Sequence, residues 1–113
     1  MTTFIEGGVT AAKGFQAAGV HCGIRKNRAK KDLGLIVSDR PAPAAAVYTR
    51  NLVKGAPLTV TQAHIADGRA RAIVCNSGIA NTCAFDGIEK AEAMCALTAE
   101  ALGIDAADVV VAS

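Results

Sequence analysis

Tryptophan is absent from this 113-residue sequence, and three Phe and one Tyr are its only aromatic side chains. With 51% of the residues hydrophobic, the core must be filled by Ala, Val, Ile and Leu, which suits closely packed helix-on-sheet layers. No apolar run reaches the ~18 residues of a membrane span, so no membrane partner is expected. Met1 to Gly8 lack a basic region followed by an apolar stretch and do not read as a secretory signal. Cys22, Cys75, Cys83 and Cys95 include no C-x-x-C pair. All four read as free thiols in a reducing cytoplasm, Cys75 and Cys95 as small core hydrophobes, and no metal site is expected. Neither a P-loop, nor an H-E-x-x-H helix, nor a G-x-S-x-G elbow occurs.

What is present fits one small domain with a single core. The formal net charge of +2 is mild, but it contains one cluster, Arg25-Lys26-Asn27-Arg28-Ala29-Lys30-Lys31. Without an aromatic for base stacking, that run reads as a solvated hairpin tip rather than a nucleic-acid surface. Val9 to Ala12 is at most a short extended piece, and Phe15 to Cys22 is irregular or a short strand. Asp32 to Ser38 is a strand, expected to pair with residues near Gly19 to Lys26. Pro41 and Pro43 predict a break, with a further strand from Ala44 to Tyr48 and a connector through Ala56. Pro57 suits the first turn of a helix to about Ala66, stopped by Gly68, with Leu58, Gln62 and Ile65 on one side and His64 at the surface.

The most informative stretch is Ala72-Ile73-Val74-Cys75-Asn76-Ser77-Gly78-Ile79-Ala80-Asn81. Four apolar residues read as a strand buried on both faces and then give way abruptly to small polar, turn-prone ones. Such a loop at a strand end brings N–H groups and short polar side chains to a sheet edge, where α/β folds place ligands. An ordinary polar loop before the next helix fits the same residues. Asp86 and Glu89 have capping-box spacing for a helix to about Leu102. Ile88, Ala91, Cys95, Thr98 and Leu102 form its expected buried stripe, and Gly103 its stop. Val109 to Ala112 is a last buried strand, parallel to the first through a right-handed crossover. A dyad of Ser77 with His64 has nothing in the spacing to recommend it. Asn76 and Ser77 are more credible as hydrogen-bond donors to a carbonyl or carboxylate.

Taken together, the motifs resemble one family. Gly8-Val9-Thr10-Ala11-Ala12-Lys13-Gly14-Phe15 is similar to its G-V-x-A-x-K-G-F opening. Ala17-Ala18-Gly19-Val20 with Gly23-Ile24-Arg25-Lys26 resembles its A-A-G-x-x-x-G-[IL]-[KR] segment, and Asp32-Leu33 with Leu35-Ile36 its D-L-x-L-I strand. Thr49, Asn51, Val53, Lys54, Ala56 and Pro57 follow its connector, and Asn76-Ser77-Gly78-Ile79-Ala80-Asn81 its N-S-G-x-A-N loop. The family is the glutamate N-acetyltransferase/ornithine acetyltransferase (ArgJ) family, and the likeness runs in order along the whole chain.

The resemblance implies an α+β fold, a layered α-β-β-α sandwich of the DmpA/ArgJ kind, of which this chain is the N-terminal portion. Within it, residues 8–56 form a hairpin region and 57–112 a helix-strand-helix-strand unit. It implies cofactor-free transfer of acetyl from N2-acetyl-L-ornithine to L-glutamate through an acyl-threonine, in the cytoplasm, with acetyl-CoA accepted by some members. The nucleophilic Thr, freed by self-cleavage as the amino terminus of a β chain, is expected after Ser113, as is the oxyanion-hole Thr-Gly. This chain therefore carries no catalytic residue and is expected to be inactive alone, its partners being the rest of the α chain and the β chain in a heterotetramer. Asn76, Ser77, Gly78, Asn81 and Lys13 are the expected substrate-binding or site-supporting residues. A related N-terminal-nucleophile amidase or aminopeptidase, and a non-catalytic assembly module, are the alternatives.

Overall fold

A computed structural model describes all residues from Met1 to Ser113. Six elements carry the fold: β1 (Phe15–Val20), β2 (Leu33–Pro43), α1 (Ala56–His64), β3 (Arg69–Asn76), α2 (Gly87–Leu102) and β4 (Val109–Ala112). The strands form one sheet in the order β1-β2-β3-β4. β1, β2 and β3 are antiparallel neighbours, whereas β4 joins β3 in parallel after the crossover through α2. Short-range β pairing and a helical crossover in one chain make the fold α+β.

Both helices lie on one face of the sheet. Alternation along the strands sends Ala72 and Val74 of β3, and Val109 and Val111 of β4, into a core closed by Val60 of α1 and by Ala91, Cys95 and Ala99 of α2. Burial pushes the Cys95 thiol up to about 11, with Glu92 adding to the shift. The opposite face of the sheet is open. Ile73 is 39% exposed, and Cys75 beside it is exposed as well. The strand expected to be buried on both faces is thus buried on one, because no second layer covers it. Only 13 of the 113 residues are buried, a small core for this length. The radius of gyration of 14.8 Å likewise exceeds the ~13 Å of a compact domain of this size.

β4 is an edge strand, and its outer backbone groups are satisfied by side chains instead of a neighbouring strand. The Thr61 hydroxyl donates to the Val111 carbonyl at 2.9 Å and accepts the Val111 N–H at 3.2 Å. His64 Nδ1 lies 2.8 Å from the Val109 carbonyl, so that nitrogen carries the proton. His64 is therefore half-buried and pinned rather than free at the surface. The inner face of α1 is Pro57, Val60 and Thr61, not the expected Leu58, Gln62 and Ile65, because the helix is turned to reach the β4 edge.

Several other expectations are corrected. Val9–Ala11 is a 3-10 turn, not an extended piece. The hairpin pairs Phe15–Val20 with Leu33–Ser38, so β1 starts earlier than expected and ends before the basic run. Pro41 and Pro43 do not end β2. The strand shifts register between Val37 and Ala42, and the Arg71 guanidinium holds the irregularity by donating to the carbonyls of Ser38 and Asp39 at 3.1 and 2.9 Å. Ala44 to Tyr48 is not a strand, and Val47 within it is 98% exposed. α2 ends at Leu102, with Gly103 left-handed as expected. Asp86 does not cap through its side chain, since its carboxylate pairs with Lys90 Nζ at 2.9 Å. The buried stripe of α2 is Gly87, Ala91, Cys95 and Ala99, and Ile88 is 49% exposed on the flank.

The Thr61 contact gives the first prediction. Thr61→Val keeps the shape but leaves the Val111 N–H and C=O buried without partners, and should cost about 1–3 kcal/mol in urea unfolding. The exposed Thr59→Val should change stability by less than about 0.5 kcal/mol.

Candidate functional site at the carboxyl ends of β3 and β4

β3 and β4 run parallel and end together, with Cys75 opposite Ala112. The loop after β3 and the residue after β4 meet there, and the Ser113 hydroxyl donates to the Ile79 carbonyl at 3.4 Å. Antiparallel pairing brings the start of β2 to the same end, with Leu33 opposite Asn76. The loop between β1 and β2 therefore lies beside the loop after β3.

Asp32 organises this edge. It is 2% exposed, and its carboxylate faces no Lys or Arg side chain at ion-pair distance. Instead Oδ1 accepts the Cys22 N–H at 2.7 Å and Oδ2 accepts the Arg25 N–H at 2.9 Å. His21 Nδ1 donates to the Lys30 carbonyl at 3.0 Å and lies 3.3 Å from Oδ2. The N–H groups of Arg25 and Cys22 hold the carboxyl of Asp32 well below the usual carboxylate range. The same carboxylate pushes the Cys22 thiol up.

The turn folded around Asp32 delivers Arg25 to the β3 loop. Arg25 Nε donates to Ser77 Oγ at 2.9 Å, leaving the hydroxyl proton of Ser77 free to donate elsewhere. The Ser77 N–H is bound separately by the Asp32 carbonyl at 3.0 Å. Gly78 follows with φ +95°, and a Cβ there would lie 3.1 Å from Arg25 Cγ and 3.3 Å from Ile24 Cγ2. Glycine is required by the backbone angle and by the close approach of the Arg25 stem.

The expected site residues divide by position. Asn76, Ser77 and Gly78 lie together at this edge, and Asn76 Oδ1 is buried with no hydrogen-bond partner in the chain. Asn81 is half-buried and packs against the start of α1. A Cβ added to Gly55 would sit 2.9 Å from its Oδ1, and its neighbour Thr82 bridges to Gly55. Lys13 precedes Phe15, which pairs with Ser38 at the opposite end of the sheet. Six strand residues at about 3.3 Å each separate it from Ser77 by roughly 20 Å. His64 and Ser77 form no dyad, since His64 bonds to the first residue of β4 and Ser77 to Arg25. No three His, Cys, Asp or Glu side chains gather in metal-ligating geometry. Asp32 and Arg25 are the residues that sequence reasoning missed as part of this edge. The available signal was a lone acid placed between the cationic run and the strand it leads into.

Residues 16–113 match the family model described as the ArgJ family. The chain belongs to the ArgJ family. It is 51% identical to the arginine biosynthesis bifunctional protein ArgJ of Halalkalibacterium halodurans over 87% of this chain and 24% of that protein. The ArgJ protein of Geobacillus kaustophilus is 46% identical over all of this chain and 28% of its own length. The chain thus spans about a quarter of the curated ArgJ proteins it matches. A crystal structure of ArgJ from Bacillus halodurans superposes with a TM-score of 0.87 at 48% identity, covering 93% of this chain and 55% of that one. Ornithine acetyltransferase from Mycobacterium tuberculosis, crystallised with ornithine, superposes at 0.85 and 40% identity, covering 94% and 59%.

The sign of the Asp32 shift sets a pH prediction. Its folded pKa lies below the unfolded value of ~3.9, so its stabilisation is complete above that value and is lost as pH falls below it. Asp32→Asn should be less stable than the parent at pH 6. The gap in urea midpoint should close as pH falls from 5 toward 2, whereas a gap constant with pH would contradict the assignment.

Proposed function

We propose that this chain is part of an acetyltransferase of arginine biosynthesis that moves acetyl from N2-acetyl-L-ornithine to L-glutamate. The supporting observation is its superposition, over nearly its whole length, on an ornithine acetyltransferase crystallised with ornithine. In the first half-reaction a threonine hydroxyl outside this chain attacks the acetyl carbonyl and the C–N bond breaks. Ornithine leaves with the proton on its amine, and acetyl remains as an ester on the threonine. The α-amine of glutamate then attacks that ester, forming the new amide and returning the hydroxyl. No cofactor is needed, because the acyl group passes from amide to ester to amide at one oxidation level. Acetyl-CoA serves as a further donor on this reading.

The part of this chain is to wall the site. Asn76-Ser77-Gly78 sits at the carboxyl ends of the parallel strands, where α/β sheets place ligands. The Ser77 hydroxyl, bound by Arg25, is fixed to donate to a carbonyl or carboxylate of the substrate. Asn81, packed against Gly55 just before α1, shapes the far side of the same loop. Lys13 lies too far along the sheet to reach that loop.

The remaining sequence of an ArgJ protein covers the open sheet face. That face holds a groove of about 300 Å³ lined by Phe15, Ile36, Ile73 and Val110, beside Arg71, whose Nε is buried without a partner. A second sheet laid there completes the α-β-β-α layers, and a backbone carbonyl or carboxylate on it completes Arg71. The self-cleaved α and β chains then pair as a heterotetramer. Four unpaired cysteines, three of them exposed, fit a reducing cytoplasm.

The test is acetyl transfer from N-acetylornithine to glutamate. The 113-residue chain alone should show none, and the complete protein that contains it should form an acyl-enzyme and transfer acetyl with ping-pong kinetics. In the complete protein, Asn76→Ala with Ser77→Ala should lower kcat/KM about 100-fold. Unchanged transfer would refute the place given to this loop, and peptide hydrolysis without acetyl transfer would refute the reaction.

A further inference from the structure

Arg25 and Asp32 are drawn into the N-S-G loop by more contacts than a solvated hairpin tip would make. Ser77 is held at two points, and both lead back to Asp32. Its N–H goes to the Asp32 carbonyl, and its hydroxyl goes to Arg25, whose own N–H is bound by the Asp32 carboxylate. The carboxylate itself is buried and makes its contacts to main-chain N–H groups and to His21, so it folds a turn instead of neutralising the basic cluster. The left-handed Gly78 lies against the Arg25 stem, where a Cβ would come within 3.1 Å of Arg25 Cγ, so the absence of a side chain at Gly78 leaves room for Arg25 to lie over the loop.

We propose that Asp32 and Arg25 are positioning residues for the acyl-transfer site: Asp32 folds the 21–25 turn, and the turn braces Ser77 through the Arg25 guanidinium. This rests on the function proposed above. Arg25 acts through Ser77, not on the reacting atoms. The other cations of the cluster, Lys26, Arg28, Lys30 and Lys31, make no side-chain hydrogen bond to the loop and serve as the internal contrast.

A double-mutant cycle in the complete protein tests this, with kcat normalised to the acyl-enzyme burst so that loss of folded enzyme does not enter. Arg25→Met should lower normalised kcat about tenfold with KM for N-acetylornithine changed less than about threefold. Arg25→Lys, which restores a donor, should recover much of that loss, and Lys26→Met should lose nothing. Arg25→Met combined with Ser77→Ala should be no slower than Ser77→Ala alone, because the two act as one unit. Additive losses, or a wild-type kcat in Arg25→Met, would overturn the proposal. Hydrogen exchange gives a second arm that does not depend on the reaction. Amides of residues 76–79 should exchange about tenfold faster in Asp32→Asn and in Arg25→Met, with α2 and β4 unchanged. If the wild type transfers no acetyl, the functional reading fails while this arm still decides the brace, and unchanged exchange overturns it.

Discussion

The structure turns on a carboxylate that is buried without a Lys or Arg partner. Isolating Asp32 from water would be costly if its oxygens were left bare, and it is tolerated because main-chain N–H groups from two residues of one turn point at it. That requirement runs in both directions. The turn needs the carboxylate to gather its N–H groups, and the carboxylate needs the turn. Because Asp32 immediately precedes β2, and Leu33 pairs with Asn76, the same knot fixes where the loop after β3 begins. A residue that reads locally as a strand start therefore sets the geometry of a loop more than forty residues away in sequence.

A second constraint acts at the other side of the sheet. β4 has one strand neighbour, and its outer carbonyl and N–H groups are answered by Thr61 and His64 of α1. This fixes α1 against the sheet edge and holds the carboxyl end of β4 beside that of β3. The two constraints converge on one sheet end, where Asn76, Ser77, Gly78 and Ser113 are assembled. They leave the other face largely apolar and uncovered. The core is small, and the chain spans about a quarter of the ArgJ proteins it matches.

Much of the fold could be read from the sequence where the cause was local. β3, α2 and β4 follow from apolar patterning and from the stop at Gly103, and the loop after β3 from the abrupt change at Asn76. The misreadings arise where partners distant in the chain decide. Pro41 and Pro43 lie in a strand because a register shift and Arg71 absorb the lost donors, which no local rule shows. His64 has the local pattern of a surface residue, because its partner, the Val109 carbonyl, comes 45 residues later. The apolar run Ala72 to Cys75 points to burial on both faces, whereas helices cover only one face of the sheet and leave Ile73 and Cys75 exposed. Arg25 is one of five cations in a local run, and only the fold directs its guanidinium at Ser77 and distinguishes it from its neighbours.

The central claim is that the end of the sheet shared by β2, β3 and β4 forms a wall of the substrate site. Hydrogen exchange on the complete protein, with and without saturating ornithine, tests it most directly. Ornithine should slow exchange at residues 76–81 while leaving the amides around Lys13, at the opposite end of the sheet, unchanged. Protection confined to other parts of the protein, with residues 76–81 exchanging as in the free enzyme, would contradict the account.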